Sequence, residues 1–211
     1  ITCRVSLPSY FYIPAELYYN FGPLLAKEII KNGKMEALNT ALYGYVNNGL
    51  NTLPTSEQIY DPDKFFIDER YDELVVETIE VDGFTLIDEG SIGALDLVYL
   101  MQDKIGQKNA VNAAIGIGGG AWKDYVNDSD ELLMTLKLSG DDSTELQEIY
   151  DAFILWAEAQ SRFDGIDSLV GGDLFTGKTN FWISKDQGSI RIVLSQNLDL
   201  LNSISNQLKD F

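Results

Sequence analysis

Residues 180–194, NFWISKDQGSIRIVL, decide the fold class of this chain. Apolar side chains recur at every second position on both sides of the sequence KDQG, a pattern typical of two strands joined by a turn. Residues 134–138, MTLKL, alternate in the same way. Together the three segments predict one antiparallel sheet in the last third of the chain.

Two helices accompany this predicted sheet. Apolar residues recur at helical spacing over 146–157, after an Asp142 that caps the helix together with Glu145. Residues 198–208 close the chain with a second helical pattern. We expect the alternating apolar residues of the strands to face the helix that carries Phe153, and we expect the last helix to cover the same face.

The rest of the chain favours helices, with a break at Asn32-Gly33 that indicates a helical hairpin. The predicted elements are helices over 15–31, 35–46, 88–106 and 109–115 and a weak strand over 74–81. The predicted fold class is therefore α+β: a mostly helical N-terminal two-thirds, with a helical hairpin plus further helices, followed by a small antiparallel sheet with two helices. We expect a single domain over 1–211, with a helical part over 1–125 and a strand–helix–hairpin–helix unit over 126–211.

The chain is strongly acidic, with 33 acidic and 15 basic side chains and a formal net charge of −18. Such a field repels phosphate backbones, so we expect no nucleic-acid partner. It indicates solubility in an extracellular or salty setting, or divalent-cation binding by carboxylates. None of the carboxylate clusters has the spacing of a calcium loop, which favours solvated loops and helix caps. No apolar run approaches the length of a membrane span.

The chain contains no histidine and one cysteine, Cys3. This composition excludes Ser-His-Asp and Cys-His nucleophiles and a two-His zinc site, and it excludes an internal disulfide. We expect no catalytic residue, no zinc and no cofactor in this chain. Two carboxylates brought together by the fold, as in glycoside hydrolysis, remain an alternative.

Two glycine-rich stretches are candidates for phosphate binding. Residues 172–179, GDLFTGKT, match G-x-x-x-x-G-K-[ST]. A phosphate loop needs a helix after Thr179, whereas the following residues read as a strand, so we predict a hairpin instead. Residues 116–120, GIGGG, lack a following lysine, and we interpret them as a helix terminator with close backbone packing.

Residues 55–65, TSEQIYDPDKF, begin with a capping-box pattern. We expect the Thr55 hydroxyl to accept a backbone N–H and Gln58 to return to the Thr55 backbone. The segment resembles the TSTEQ-hydrophobic-x-HP-[ED]-K-[YF] segment of a family of HExxH-type zinc metallopeptidases. Asp61 stands where that family usually has histidine.

The resemblance covers most of the chain. Tyr18 and Gly22 match a tyrosine–glycine helix of the family. Residues 93–95, Gly-Ala-Leu, resemble a Gly-Glu-Leu helix with alanine in place of glutamate, and residues 116–120 resemble a Gly-rich turn without its tryptophan and aspartate. The chain is similar to the part of the family that follows the metal ligands, so no catalytic or metal-binding residue carries over.

The resemblance implies a non-catalytic metallopeptidase-like domain, a surface or extracellular module for binding or assembly with a protein partner or its own copies. The alternative is the substrate-side subdomain of an active zinc metallopeptidase whose HExxH helix lies upstream of Ile1. Because Ile1 is not methionine, we expect a processed product or an excised fragment. Glu57, Gln58 and Asp61 are the candidate ligand-facing residues. Glu57 points either into a cleft that faces substrate in active relatives or towards a nearby lysine or backbone donor.

Overall fold

The computed structural model describes residues 22–48, 55–66, 71–160, 163–169 and 171–208. Within these residues the helices are α1 (Gly22–Asn48), α2 (Asp63–Phe66), α3 (Ala94–Ile105), α4 (Gln107–Ala114), α5 (Ser143–Glu158) and α6 (Leu198–Leu208), with a 3₁₀ turn at Glu57–Ile59. The strands are β1 (Phe84–Ser91), β2 (Ile117–Asn127), β3 (Leu132–Gly140), β4 (Phe163–Leu169), β5 (Gly172–Gly177), β6 (Asn180–Lys185) and β7 (Ile190–Ser195).

The seven strands form one antiparallel sheet in the order β1-β2-β3-β7-β6-β5-β4. The α+β content was predicted correctly, but the division into a helical N-terminal two-thirds and a small C-terminal sheet is wrong. Strands β1, β2 and β3 lie in the first two-thirds of the chain, and helices alternate with strands. The sheet therefore organises far more of the sequence than its last third.

The chain divides into two compact units. One comprises the chain up to Tyr71 together with Gly93–Ile115, and it contains α1 to α4. The other comprises Asp72–Ile92 and the chain from Gly116 onwards, and it contains the whole sheet with α5 and α6. The expectation of a single domain over 1–211 stays a prediction.

In the first unit, α1 breaks near the predicted Asn32-Gly33 stop. Lys34 has φ 57° and ψ −164°, which is a conformation that favours glycine. Leu25, Ile29 and Ala41 lie on both sides of this kink and form a small core, against which Ile59 and Phe65 pack (these last two residues bring the segment 55–66 onto α1). The start of the predicted helix at 15–21 lies outside the described residues.

In the second unit, the two helices cover opposite faces of the sheet. Leu133, Trp182 and Val193 point to one face and pack with α6. Phe181 points to the other face, where its ring centroid lies 6.4 Å from that of Phe153 on α5. The expectation for α5 is confirmed, whereas the expectation that 198–208 covers the same face is wrong. The reason is that β6 is buried on both faces, since its Phe-Trp-Ile sequence supplies apolar side chains to each.

Three other expected elements differ from the structure. Residues 84–91, which overlap the predicted helix over 88–106, form the edge strand β1, and α3 begins only at Ala94. Residues 74–81 form no regular strand. Helix α4 ends at Ala114, just before the glycines at 116–120, and the expected close backbone packing is present: a Cβ on Gly119 would lie 2.2 Å from the Asp72 carbonyl oxygen. The sequence did not predict that strand β2 begins at Ile117, within this stretch. None of the described helices combines the length and apolar character needed to cross a bilayer.

Candidate functional site

The Thr-Ser-Glu-Gln segment lies in the first unit, and the side chain of its glutamate is buried. Glu57 and Gln58 are 4% and 3% exposed. Glu57 Oε1 lies 3.4 Å from Nζ of Lys64, which is itself buried. The sequence left two orientations open for the Glu57 side chain, and in the structure this side chain lies beside a lysine. The buried carboxylate and the buried ammonium group neutralise each other's charge, so removing either charge alone is costly.

The capping-box prediction is half right. The Thr55 backbone N–H donates to Gln58 Oε1 at 3.2 Å, as expected. The Thr55 hydroxyl, in contrast, is buried and has no hydrogen-bond partner among the described residues. The N-cap position of the 3₁₀ turn belongs to Ser56 instead.

Ser56 connects this segment to the start of α3. Its hydroxyl accepts the backbone N–H of Leu95 at 3.3 Å, across 39 residues of sequence. Asp96 accepts the N–H of Gly93 at 2.9 Å, so the helix start is capped from within and from outside. A Cβ on Gly93 would lie 2.5 Å from the Ser56 hydroxyl oxygen, which explains why glycine is needed there. Burial raises the pKa of Asp96, although the hydrogen bonds that its carboxylate accepts from backbone N–H groups oppose the shift.

Asp61 lies at the end of the same segment and is half-buried. Its Oδ1 accepts the backbone N–H of Asp63 at 3.2 Å, at the start of α2. Within the described part of the chain, no group of three or more Asp, Glu, His or Cys side chains is placed to hold a metal ion. Cys3 lies outside the described residues. The ligand-facing role of Glu57, Gln58 and Asp61 stays a prediction.

The GDLFTGKT stretch is a hairpin, as predicted. It forms β5 and a two-residue turn, and β6 begins at Asn180. The Asn180 carboxamide accepts the Gly177 N–H at 3.3 Å and donates to the Ser195 carbonyl at 3.2 Å. Since Thr179 leads into an antiparallel strand rather than a helix, no helix N-terminus is available for a phosphate.

A second polar site, which the sequence did not indicate, lies on the sheet face that α6 partly covers. Lys123, Lys137 and Arg191 project from β2, β3 and β7, and we call them the cationic shelf. Lys123 and Arg191 are buried. Residues 72–81, which we call the strap, run over this face.

The strap is attached to the shelf through side chains. Glu77 Oε1 lies 2.5 Å from Lys137 Nζ and 3.7 Å from Arg191 Nη2. Lys123 Nζ donates to the Thr78 hydroxyl at 2.8 Å. Strap and shelf therefore form one network that joins three strands to an irregular segment.

Electrostatics favour the ionised carboxylates around the shelf. Burial alone raises the pKa of Glu77, but the hydrogen bond from Lys137 and the charges of Lys137 and Arg191 outweigh it, and the net pKa is lowered. For Asp186, burial is likewise outweighed by the N–H groups of Gly188 and Ser189 and by the Arg191 guanidinium, which lower the pKa to about 2. Both acids stay charged at neutral pH.

Two donors within the shelf region have no hydrogen-bond partner among the described residues. They are Nε of Arg191 and the hydroxyl of Thr135, whose residues are 6% and 2% exposed. Buried polar groups normally form hydrogen bonds, so the network around the cationic shelf leaves two of its donors unused within the described part of the chain. The signal in the sequence was present but ambiguous, because Thr135 and Lys137 alternate with apolar residues as they would on a solvent-facing side.

Comparison of the chain with protein-family models, with curated proteins and with solved structures finds no match.

Proposed function

We propose that this chain is a non-catalytic binding or assembly module, metallopeptidase-like in the sense of the resemblance in its sequence. The observation that carries the binding role is a set of large apolar side chains exposed to solvent on α1. Met35 and Leu42 are 55% and 61% exposed, and Tyr43 beside them is 61% exposed. Met35 and Leu42 are two helical turns apart and share one side of the helix. Exposed apolar surface of this kind marks interaction sites in proteins.

The inward orientation of the Thr-Ser-Glu-Gln segment supports the non-catalytic part of the proposal. Its glutamate pairs with Lys64, its glutamine closes on the Thr55 backbone, and its serine caps α3. Each group stabilises the first unit. An extracellular or cell-surface location is part of the same proposal and is supported by the net charge of −18.

The test is self-association and its dependence on α1. Sedimentation of the purified chain over a range of concentrations is expected to show a concentration-dependent oligomer. Leu42→Asn is expected to weaken that association at least about tenfold, which corresponds to about 1.4 kcal/mol. Leu155→Asn is the matched control, because Leu155 is a 50% exposed leucine on α5 in the other unit.

A monomer at every concentration, together with no partner binding that depends on Leu42, would contradict the assembly role. Peptidase activity of the purified chain in the presence of added zinc would contradict the non-catalytic role.

A further inference from the structure

We propose that the cationic shelf is a binding site for an extended acidic peptide, and that the strap is an internal ligand that occupies it. The proposal concerns a different unit from the α1 surface and does not depend on self-association. It adds a second interaction surface and gives the chemistry of its partner.

The distribution of charge supports this assignment. Only 15 basic residues occur in a chain of net charge −18, and three of them share this sheet face. The strap that covers them has four acidic residues among its ten, at positions 72, 73, 77 and 80. Shelf and strap are therefore complementary in sign, as a site and its ligand are.

The strap is bound in the way that a peptide ligand is bound. The strap, residues 72–81, forms neither a helix nor a strand. Its N-terminal end makes one backbone hydrogen bond to the sheet, from the Asp72 N–H to the Gly118 carbonyl at 2.6 Å. The central attachment is made by Glu77 and Thr78 side chains on the shelf lysines. Such an attachment can be replaced by another peptide without breaking a strand of the sheet.

The apolar contacts of the strap define what the site recognises besides charge. Val76 and Ile79 are 4% and 5% exposed, and Ile79 packs with Tyr125 and Leu133 in the core below α6. Glu80, between the anchors and the end of the strap, is exposed. The site therefore recognises a carboxylate that is flanked by two aliphatic side chains. A nucleic acid or a free phosphate does not carry this combination of groups.

The buried donors give the site capacity for a further acceptor. Glu77 approaches both Lys137 and Arg191 through the same oxygen, Oε1. Arg191 Nε and the Thr135 hydroxyl have no partner among the described residues. A peptide that brings an additional carbonyl or carboxylate oxygen to these atoms would satisfy donors that the strap leaves unpaired.

The experiment compares two charge-neutralising variants on the same strap. Glu77→Gln removes the anchor, whereas Glu80→Gln makes the same charge change at an exposed position. The probe is a fluorescent synthetic peptide with the sequence of residues 71–81, YDELVVETIEV, and binding is measured by fluorescence anisotropy. We expect the Glu77→Gln chain to bind the peptide at least about tenfold more tightly than the wild type or Glu80→Gln.

Two further probes test the chemistry. The same peptide with glutamine at the position of Glu77 is expected to lose most of its affinity for the Glu77→Gln chain. A short single-stranded oligonucleotide is expected not to bind. A folded Glu77→Gln chain that binds the peptide no better than Glu80→Gln overturns the proposal, and equal binding of the oligonucleotide overturns the peptide specificity.

Gly119→Ala provides a variant that leaves every charge in place. Because a Cβ there would meet the Asp72 carbonyl oxygen at 2.2 Å, this change displaces the start of the strap and is expected to increase peptide binding as Glu77→Gln does. Hydrogen exchange on the wild type needs no variant at all. Strap amides are expected to exchange at least about tenfold faster than those of β3, and equal protection would show that the strap is a fixed part of the sheet.

Discussion

Glu57 and Glu77 both attach an irregular segment to cationic side chains, yet they differ in solvent exposure and in the sequence separation from their partners. Glu57 is 5% exposed through its side chain and pairs with Lys64 in the next helical turn. Glu77 is 17% exposed and pairs with Lys137, 60 residues further along the chain, and with Arg191. The first pair fixes a local turn. The second joins distant parts of the sequence and remains partly accessible to water, so it is the pair that a competing ligand can replace.

The largest expected effect is at the local pair. Glu57→Gln removes the carboxylate charge that lies 3.4 Å from the buried Lys64 ammonium group, and we expect the free energy of unfolding to fall by about 3 kcal/mol in urea titrations. In the double variant with Lys64→Met most of that loss is expected to disappear, because neither charge is then buried. If the double variant is as unstable as Glu57→Gln, the loss does not come from the Lys64 charge that Glu57 neutralises.

Glu77→Gln is expected to cost less, about 2 kcal/mol, because the Glu77 side chain is partly solvated and one of its two cations has another partner. Arg191 retains its ion pair with Asp186. Urea unfolding of Glu77→Gln and of the exposed control Glu80→Gln measures the difference. A loss at Glu77 larger than that at Glu57 would reverse the comparison and make the strap the more firmly fixed segment.

The Glu77 pair also predicts a pH dependence of stability. The pKa of Glu77 is lowered in the folded state from 4.5, so its contribution to stability is present above that value and is lost as the pH falls through the folded pKa. The difference in unfolding free energy between wild type and Glu77→Gln is therefore expected to shrink as the pH falls from 7 through the acidic range. Glu80→Gln serves as the control. A difference that is constant over this range would show that the Glu77 charge does not contribute.

The sequence predicted those strands whose burial is local in pattern. Alternation over 134–138 and 180–194 gave β3, β6 and β7 and the hairpin between β6 and β7. The same alternation did not predict β1, because β1 is an edge strand on which Leu86 and Ile87 are exposed. In addition, the helical periodicity of α3 extends backwards into the residues of β1. The three consecutive apolar residues 181–183 were the missed sign that β6 is covered on both faces.

The site was predictable only where its contacts are close in sequence. The return of Gln58 to Thr55 spans three residues and follows from a capping-box pattern. The approach of the strap to Lys137 and Arg191 depends on which strands become neighbours, and the strap itself shows no periodicity that would reveal it. Close backbone packing at the glycines 118–119 was predicted, but its partner was not, because that backbone comes from Asp72, in a remote part of the sequence.

The smallest expected effect concerns the two hydroxyl groups of the Thr-Ser-Glu-Gln segment and tests which of them stabilises the first unit. Ser56→Ala removes the hydroxyl that accepts the Leu95 N–H, and loss of a helix cap costs about 1 kcal/mol. Thr55→Val removes the neighbouring hydroxyl, which is buried without a partner among the described residues, and its effect is expected to stay within about 0.5 kcal/mol or to be stabilising. Urea unfolding followed by circular dichroism, with helix content as the signal, measures both. A Thr55→Val loss as large as that of Ser56→Ala would assign the cap to the threonine. Unchanged stability of Ser56→Ala would show that the contact across 39 residues contributes nothing to the stability of α3.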